Sequence, residues 1–416
     1  MIKSKKMLSF GVVAALGLAA CGSDDDATTD DDAGTEEEST DEAAADDDAM
    51  EDDDEAMEEE SHDDDDDAME DDEAMEDDEA MEEEPADDAA AADISLGLTY
   101  DIGGRGDQSF NDSAFAGAER LETELGVSFT DLVPNDDGSN RGELLQLQAD
   151  ENDLVIGVGF LFVGDVVEAA ANNPDTLFAV IDDAMLDFEA DPPASLCADG
   201  NCTGLTFAEE QGSFLVGAAA ALQSETNTIG FIGGVSGFGL IEKFEAGFQA
   251  GAQAVNPDIE IIPQYITAAP DFDGFNAPDR AREIALAMYS DGADVIYHAA
   301  GGAGAGLFEA AKEQSDSTGE KVWAIGVDSD QYNTVDPELQ EFILTSMIKR
   351  VDTAVYEVTE SVINGEFETG NTVYDLSVDG VGYSTSGGFV DAYVDQLEDF
   401  KAQIIDGTIT VPAVPS

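Results

Sequence analysis

The chain beyond residue 93 is predicted to be an α/β protein made of two doubly wound lobes. Short apolar runs alternate with helical patterns over this region, which is typical of parallel α/β architecture. Several runs are apolar almost without interruption, as expected for strands that are covered on both faces. The alternation starts again at Thr228, after a polar loop near residues 188–203 that carries two cysteines. The sequence therefore predicts two sheets with a cleft between them.

The predicted elements follow one another in a regular order. Strands are expected at residues 95–100, 154–157, 177–181, 229–232, 259–265, 295–298 and 322–327. Helical patterns cover residues 113–125, 163–172, 210–222, 241–255, 279–290 and 307–314. In such sheets ligands bind beyond the carboxyl ends of the strands, so the residues that follow each strand are candidate binding residues.

The N-terminus predicts export and attachment to a membrane. Three lysines precede the apolar run 8–20, which is too short to span a bilayer as a permanent helix, and small residues lead up to Cys21. We interpret residues 1–21 as a lipoprotein signal peptide whose removal leaves Cys21 as the lipid-bearing N-terminus. A conventional signal peptide with an incidental cysteine is the alternative. The expected location is the extracytoplasmic side of the cell membrane, with the chain anchored by its lipid.

Residues 22–92 are predicted to be a disordered acidic spacer. They contain 40 Asp and Glu and no Lys or Arg, and their apolar residues are mostly Ala and Met. Such a segment buries too little surface to offset its chain entropy, and its like charges push it open. Weak cation binding is the functional alternative.

The region predicted to fold is acidic as well. It carries 57 acidic residues against 11 basic ones after residue 92. A negative charge of this size repels nucleic acid, and the sequence has no basic stripe that could bind phosphates. Nucleic-acid binding is therefore excluded as a function class.

The cysteines of the folded region predict a disulfide. Once Cys21 is set aside, Cys197 and Cys202 remain, and an exported chain with one close pair is expected to oxidise it. A zinc site needs more ligands than this pair, and the two histidines, His62 and His298, lie far away in the sequence.

Polar and aromatic residues follow the first predicted strand. Residues 101–111 combine glycines with the carboxylates of Asp101 and Asp107, the ring of Phe110 and the amide of Asn111. Phe110 either packs beneath this loop or offers a ring face to a planar ligand. Each polar residue could instead be a helix cap or a turn former.

Two further carboxylates follow strands of different lobes. Asp182 comes after the strand at 177–181 and Asp328 after the strand at 322–327, so both could point into one cleft. Paired carboxylates can accept hydrogen bonds from a vicinal diol, and Lys349 could add a donor. A cap or a turn is again the alternative for each residue.

Catalytic and cofactor chemistry find little support in the sequence. The phosphate-binding pattern G-x-x-x-x-G-K-[ST] and the nucleophile elbow G-x-S-x-G are both absent. His298 is the one histidine of the folded region, which leaves no material for a Ser-His-Asp triad or multi-histidine metal chemistry. Glycoside hydrolysis by paired carboxylates is the enzymatic alternative. We expect no enzymatic activity, no cofactor and no metal.

Eight segments at the strand ends carry a family resemblance. They are residues 106–111 (GDQSFN), 154–160 (LVIGVGF), 230–234 (GFIGG), 244–248 (FEAGF), 292–297 (GADVIY), 299–302 (AAGG), 325–331 (IGVDSDQ) and 345–352 (TSMIKRVD). Taken in order, they resemble the basic membrane protein family of ABC transporter substrate-binding lipoproteins, which includes purine nucleoside receptors. The resemblance covers residues 95–411.

The resemblance implies the type I periplasmic-binding-protein fold, in which three crossovers join two Rossmann-like lobes and a hinge closes them over a ligand. The crossovers are expected near residues 203–208, 331–342 and 374–384. The N-terminal lobe would comprise residues 93–205 and 340–376, and the C-terminal lobe residues 206–339 and 377–416.

The resemblance also implies a purine nucleoside as the ligand. The residues expected to contact it are Asp101, Asp107, Phe110, Asn111, Phe160, Asp182, Tyr297, Gly301, Asp328 and Lys349. In the family the base is sandwiched between two aromatic rings, for which Phe110 and Tyr297 are the best matches. His298 or Phe160 could take the place of Tyr297.

The remaining contacts are assigned by the same motifs. Asp101 and Asn111 would bond to the edges of the ligand, and Asp182, Asp328 and Lys349 would hold the ribose. The leading interpretation is a monomeric, membrane-anchored receptor that delivers a nucleoside to an ABC permease. The alternatives are the same fold with a sugar or another small metabolite, a surface sensor without a permease, and a surface nucleoside hydrolase.

Overall fold

Two six-stranded β-sheets organise the computed structural model, which describes residues 94–135 and 138–416. Each sheet is the centre of one lobe, and buried apolar side chains pack against both of its faces. The two-lobed α/β fold predicted from the sequence is confirmed. The predicted signal peptide, Cys21 and the predicted spacer at 22–92 lie outside the described residues. Within the described part of the chain, no helix combines the length and apolar character needed to cross a bilayer.

The first lobe contains a fully parallel sheet. Its strands are β1 (Ser95–Thr99), β2 (Ser128–Leu132), β3 (Leu154–Gly157), β4 (Leu177–Ile181), β7 (Cys202–Phe207) and β13 (Gly370–Tyr374). They lie in the order β13-β7-β4-β3-β1-β2. The helices of this lobe are α1 (Phe110–Leu125), α2 (Arg141–Glu151), α3 (Val163–Asn172) and α9 (Val351–Ile363). Because α1 packs with α9 and α2 packs with α3, the central strands are buried on both sides, as their apolar sequences predict.

The second lobe is built on the same plan. Its strands are β8 (Thr228–Ser236), β9 (Glu260–Ala268), β10 (Val295–Ala299), β11 (Trp323–Asp328), β12 (Ile343–Lys349) and β14 (Val381–Tyr383). Their order is β14-β12-β11-β10-β8-β9, and β14 alone among these strands is antiparallel to its neighbour. Its helices are α4 (Glu209–Gln223), α5 (Leu240–Val255), α6 (Pro278–Ser290), α7 (Ala305–Thr318), α8 (Pro337–Gln340) and α10 (Val394–Ile405).

Helices α4 and α5 pack with their backbones in close contact. A β-carbon at Gly217 of α4 would collide with the carbonyl of Phe248, and one at Gly251 of α5 would collide with the carbonyl of Phe214. These positions therefore require glycine. The close packing holds α4, whose first residue is Glu209, against α5.

The chain passes between the lobes three times, and one passage differs from the prediction. The first follows β7 at residue 208 and the third lies between β13 and β14, at residues 375–380. The second occurs at residue 350 rather than within 331–342, because β12 pairs with β11 in the second sheet. The assignment of all of 340–376 to the first lobe is therefore wrong for the residues up to 349.

The connection from β4 to β7 contains a hairpin in place of a helix. Its two short strands are β5 (Leu186–Asp187) and β6 (Ala194–Ser195). A disulfide joins Cys197 to Cys202, with 5.9 Å between their Cα atoms. Both cysteines are buried in the apolar layer between the first sheet and α3. The segment thus covers the part of the sheet that a crossover helix would otherwise cover.

Candidate ligand-binding cleft

A cavity lies between the lobes, at the carboxyl ends of strands from both sheets. It contains about 600 Å³ of empty space, including its opening to solvent. The first lobe contributes Asp101, Ile102, Asp107, Phe110, Asn111, Gly159, Phe160 and Asp182, and the second Leu240, Ile241, Phe244, Phe275, Ala299, Ala300, Gly301, Gly302, Val327, Asp328 and Lys349. The structure therefore brings together nine of the ten residues expected to contact a ligand. The exception is Tyr297.

Tyr297 lies in the core of the second lobe and does not line the cavity. It comes two residues before the end of β10, and its ring packs against Phe231 (5.6 Å between ring centroids) and Phe248 (5.3 Å). Its hydroxyl lies 3.2 Å from Oγ of Ser213. The expectation that Tyr297 stacks on a ligand is therefore wrong, because its side chain enters the layer between the sheet and helices α4 and α5.

His298, the alternative to Tyr297, is buried as well. Its Nε2 lies 2.9 Å from Oε1 of Gln331. Burial lowers the pKa of His298 to about 4, so the imidazole is neutral at neutral pH. His298 is thus a buried hydrogen-bonding residue of the second lobe.

Asp107 and Asn111 line the cavity, but their side chains mainly hold the loop before α1 in place. Asp107 Oδ1 accepts hydrogen bonds from the backbone N–H groups of Ser109 (3.0 Å) and Asp112 (3.1 Å). Its Oδ2 accepts from the backbone N–H and the amide Nδ2 of Asn111 (2.9 and 3.1 Å). A carboxylate has about four acceptor positions, so those of Asp107 are filled. The Oδ1 of Asn111 in turn accepts from the backbone N–H of Asp101 (3.2 Å).

Asp101 keeps one carboxylate oxygen available. Its Oδ1 accepts from the backbone N–H of Ile102 (2.8 Å) and from Nη2 of Arg141 (3.0 Å), which stands at the start of α2. Among the described residues, every hydrogen bond to this carboxylate is donated to Oδ1 and none to Oδ2. Burial raises the pKa of Asp101, and Arg141 opposes that shift. Oδ2 lies beside Gly159, where a β-carbon would collide with it.

The lysine predicted to bind ligand lies in a buried charged cluster. The Nζ of Lys349 lies 2.6 Å from Oδ1 of Asp182 and 3.3 Å from Oε1 of Glu209. Three aromatic rings surround the ammonium group, with centroids 4.9 to 5.6 Å away; they belong to Phe110, Phe207 and Phe244. Burial alone would lower the pKa of Lys349, but the carboxylates of Asp182, Glu209 and Asp328 outweigh it and raise that pKa. The ammonium therefore stays charged.

Asp182 and Asp328 enter the cavity from opposite lobes. Both have left-handed backbone conformations, with φ of 71° and 63°. Such angles are uncommon outside glycine, although Asp tolerates them better than most residues. Burial raises the pKa of both carboxyl groups to about 6, against the opposing effect of Lys349. The Oδ2 of Asp328 accepts a hydrogen bond of 2.6 Å from Oγ of Ser109.

The two lobes also touch each other directly. Ser329 Oγ donates to the carbonyl of Ser109 (3.0 Å) and Gln331 Nε2 donates to the carbonyl of Gln108 (3.1 Å). The rings of Phe160 and Phe238 stack with centroids 4.6 Å apart and planes 23° apart. Polar bonds and aromatic contacts therefore both join the lobes beside the cleft.

Several residues in the cleft or directly behind it were missed by the sequence-based prediction. Glu209 follows β7 and would have been a candidate had that strand been recognised. Phe275 follows β9, whose end at Ala268 lies three residues beyond the predicted end. Phe244 lies within α5, where the rule about strand ends does not apply.

Sequence and structure comparisons place the chain in one family. The family model described as ABC transporter substrate-binding protein PnrA-like matches residues 94–414. A CD4+ T-cell-stimulating antigen of Listeria monocytogenes is 34% identical over 339 residues, which cover 78% of this chain and 90% of that protein. The ABC transporter nucleoside-binding protein BmpA of Lactococcus lactis is 34% identical over 333 residues, with coverage of 77% and 90%. A solute-binding protein of an ABC transporter system from Aeropyrum pernix K1 has a similar structure, with a TM-score of 0.64, 27% identity and coverage of 77% and 94%. The chain therefore belongs to the PnrA-like family of ABC transporter substrate-binding proteins.

Proposed function

We propose that this solute-binding protein captures purine nucleosides in its cleft and delivers them to an ABC permease. The observation that carries the proposal is an aromatic ring beside a buried charged cluster in one cavity. The Nζ of Lys349 lies 5.1 Å from the ring centroid of Phe110 and 2.6 Å from Asp182. A nucleoside offers the matching pair of groups, a flat base and a ribose with vicinal hydroxyls. The L. lactis relative, named a nucleoside-binding protein, supports this choice.

The base would lie in the aromatic part of the cavity. Phe110 of the first lobe and Phe275 of the second are our candidates for its two faces, since both line the cavity. Phe275 takes the role first given to Tyr297. The ring of Phe160 is the weaker choice, because one of its faces is already covered by Phe238. A stacked base contributes about 1 to 3 kcal/mol.

The polar groups of the cavity suit the rest of the ligand. Asp101 offers its Oδ2 to an N–H or amino group of the base. Asp182 and Asp328 would accept hydrogen bonds from the ribose hydroxyls, and Lys349 would donate one. Hydrogen bonds to charged groups contribute about 1.5 to 3 kcal/mol each, so these contacts set the specificity.

We further propose that the protein works on the extracytoplasmic side of the membrane. Lipid on Cys21 would anchor it, residues 22–92 would serve as the spacer, and the folded part would act as a monomer. Closure of the lobes would create the surface that the permease recognises. The proposal assigns no catalytic step to the protein, because its task is to bind and release one ligand.

Calorimetric titration of ligand-stripped protein tests the proposal. We expect inosine, guanosine or adenosine to bind with a Kd below about 1 μM, and D-ribose and D-allose to bind far more weakly. F110A should weaken nucleoside binding by about 10- to 100-fold. The matched control is F188A, since Phe188 is 69% exposed on the hairpin tip. Sugar binding without nucleoside binding would contradict the proposal, and release of free base from excess inosine would favour the hydrolase alternative.

A further inference from the structure

A row of four charged side chains runs from the surface of the second lobe to the cleft. Lys243 of α5, 32% exposed, lies at the outer end, and its Nζ is 3.0 Å from Oε2 of Glu209. Glu209 Oε1 is 3.3 Å from Nζ of Lys349, which is in turn 2.6 Å from Asp182 Oδ1. Positive and negative groups thus alternate along the row.

Glu209 lies in the middle of this row, where it cannot reach a ligand. Its side chain is 1% exposed and does not line the cavity, and each of its carboxylate oxygens faces a lysine. A buried carboxylate is costly to desolvate and does not stabilise a fold simply by being paired. Its place in the structure therefore calls for a role that acts through Lys349, the cationic residue that does line the cavity.

The same row meets two of the passages between the lobes. Glu209 begins α4, two residues after the end of β7 in the first lobe, and Lys349 is the last residue of β12, directly before the second passage. Lys243 also donates a hydrogen bond of 3.4 Å to the carbonyl of Phe207, the last residue of β7. Glu209 is thus ion-paired on one side with the ligand-facing lysine and linked on the other, through Lys243, to the backbone of the first passage.

We propose that Glu209 is a positioning residue of the nucleoside site. It holds the ammonium of Lys349 against Asp182, so that the remaining N–H of the ammonium points into the cavity. Through its ion pair with Lys243, Glu209 also connects the position of Lys349 to the first passage between the lobes. The inference rests on the proposed function and adds to it a residue that sets affinity without touching the ligand.

Every charged group that faces Lys349 affects the pH at which this lysine loses its proton. Asp182 approaches from β4, Glu209 from α4 and Asp328 from β11, and all three favour the charged ammonium, whereas Lys243 lies beyond Glu209. An opposite charge at this range shifts a pKa by about 1 to 3 units. E209Q should therefore let Lys349 lose its proton about 1 to 3 pH units earlier. A residue that acted only on fold stability would leave this titration unchanged.

The titration can be measured on the ligand-free protein. Only five lysines follow residue 21, namely Lys243, Lys312, Lys321, Lys349 and Lys401. In protein produced without residues 1–21, carbon-13 labelling at lysine Cε therefore gives five signals, which Lys-to-Arg variants assign. We expect the Lys349 signal of the wild type to stay at its charged position as the pH is raised and that of E209Q to move earlier. E210Q is the matched control, because Glu210 follows Glu209 on the same turn but does not pair with Lys349.

Calorimetry with inosine completes the test. E209Q should weaken binding by at least about 10-fold, with a loss that grows toward alkaline pH, whereas E210Q should bind as the wild type does. If E209Q does not fold, E209D replaces it, because it keeps the charge but moves it away from Lys349; weaker inosine binding with a smaller downward shift of the Lys349 titration is the expected result. An unchanged affinity, or a loss without any shift of the Lys349 titration, overturns the inference. If the wild type binds no nucleoside, the proposed function fails, and the titration still decides whether Glu209 controls Lys349.

Discussion

The two lobes share a strand order but present different chemistry at the cleft. The order β2-β1-β3-β4-β7-β13 of the first sheet corresponds, position by position, to β9-β8-β10-β11-β12-β14 of the second. Asp182 follows β4 and Asp328 ends β11, so the two carboxylates occupy equivalent places with similar left-handed backbones. A repeated topology therefore delivers one acid from each lobe to the same cavity.

The neighbours of the two acids make them different. Asp182 faces the ammonium of Lys349 at 2.6 Å, whereas Asp328 accepts a hydrogen bond from the neutral hydroxyl of Ser109. Removing the charge of Asp182 takes the close partner from Lys349, whereas removing that of Asp328 takes away a weaker opposite charge and a hydrogen bond from a neutral group. The position at a strand end explains why one acid of each lobe reaches the cavity. The neighbouring groups explain why the two acids affect the stability of the protein differently.

Removal of Lys349 should have the largest effect. K349M leaves Asp182 and Glu209 buried without the ammonium, and breaking a buried pair costs about 3 to 5 kcal/mol. We expect inosine binding to be lost by calorimetry and the free energy of unfolding in urea to fall by that amount. The double variant D182N/K349M should regain part of the stability but no binding. Inosine affinity within about 10-fold of the wild type in K349M would show that the ammonium is not a ligand contact.

The variants D182N and D328N test the contrast between the lobes directly. Both should weaken inosine binding by about 10- to 100-fold, because each removes a charged acceptor. Their effects on the ligand-free protein should differ in size above pH 6. D182N takes the close ion-pair partner from Lys349 and should lower the melting temperature. D328N removes a buried carboxylate that is costly to ionise, takes a weaker opposite charge from Lys349 and keeps an acceptor for Ser109, so its melting temperature should lie above that of D182N.

Equal shifts in the melting temperatures of the two variants would contradict this contrast. The backbone does not confuse the comparison, since Asn tolerates the left-handed conformation as well as Asp does. Each variant is thus the control for the other.

The pH dependence of binding and of stability should run in opposite directions. The pKa values of Asp182 and Asp328 are raised to about 6, so the folded protein binds these protons more tightly than the unfolded chain. Their contribution to stability therefore grows as the pH falls through about 6 and is lost as it rises. Inosine affinity should instead fall below pH 6, because protonated carboxyl groups are poorer acceptors for hydroxyls. Calorimetry checks the pH dependence of inosine affinity across this range, and urea unfolding checks that of stability. D328N should show a weaker pH dependence of both.

The sequence was sufficient for the fold and for most of the cavity. Continuous apolar runs identified β3 and β4, and the rule that ligands bind beyond strand ends led to Asp182 and Asp328. Short strands with polar residues, such as β2 (SFTDL) and β13 (GNTVY), were missed because they lie at the edges of the first sheet and are only partly buried.

The errors have physical causes. Tyr297 was chosen because of its place in a motif, but a strand carries side chains on both faces and sequence alone does not say which of them reach the cavity. The second passage was misplaced because the apolar run that became β12 was not assigned to a sheet. Glu209 escaped notice for a related reason, since the strand before it was not recognised.

The disulfide should have the smallest effect on binding, although it is the most visible difference between the lobes. The first lobe joins β4 to β7 through a hairpin and the bond Cys197–Cys202, whereas the second joins β11 to β12 through α8. Removing a disulfide that closes so short a loop lowers the free energy of unfolding by about 2 kcal/mol. The variant C197S/C202S should therefore melt a few degrees lower in calorimetric scans. A reducing agent should bring the wild type to the same temperature.

Inosine affinity should not change in C197S/C202S. Cys202 begins β7, and the cleft lies beyond the other end of that strand, roughly 15 to 20 Å away. A substantial loss of affinity would mean that the bond holds Asp182 in place through the hairpin, since Asp182 precedes that segment. The acid of the first lobe would then depend on a covalent link that its counterpart Asp328 does not have, and the contrast between the lobes would extend from neighbouring charges to the connections behind the strands.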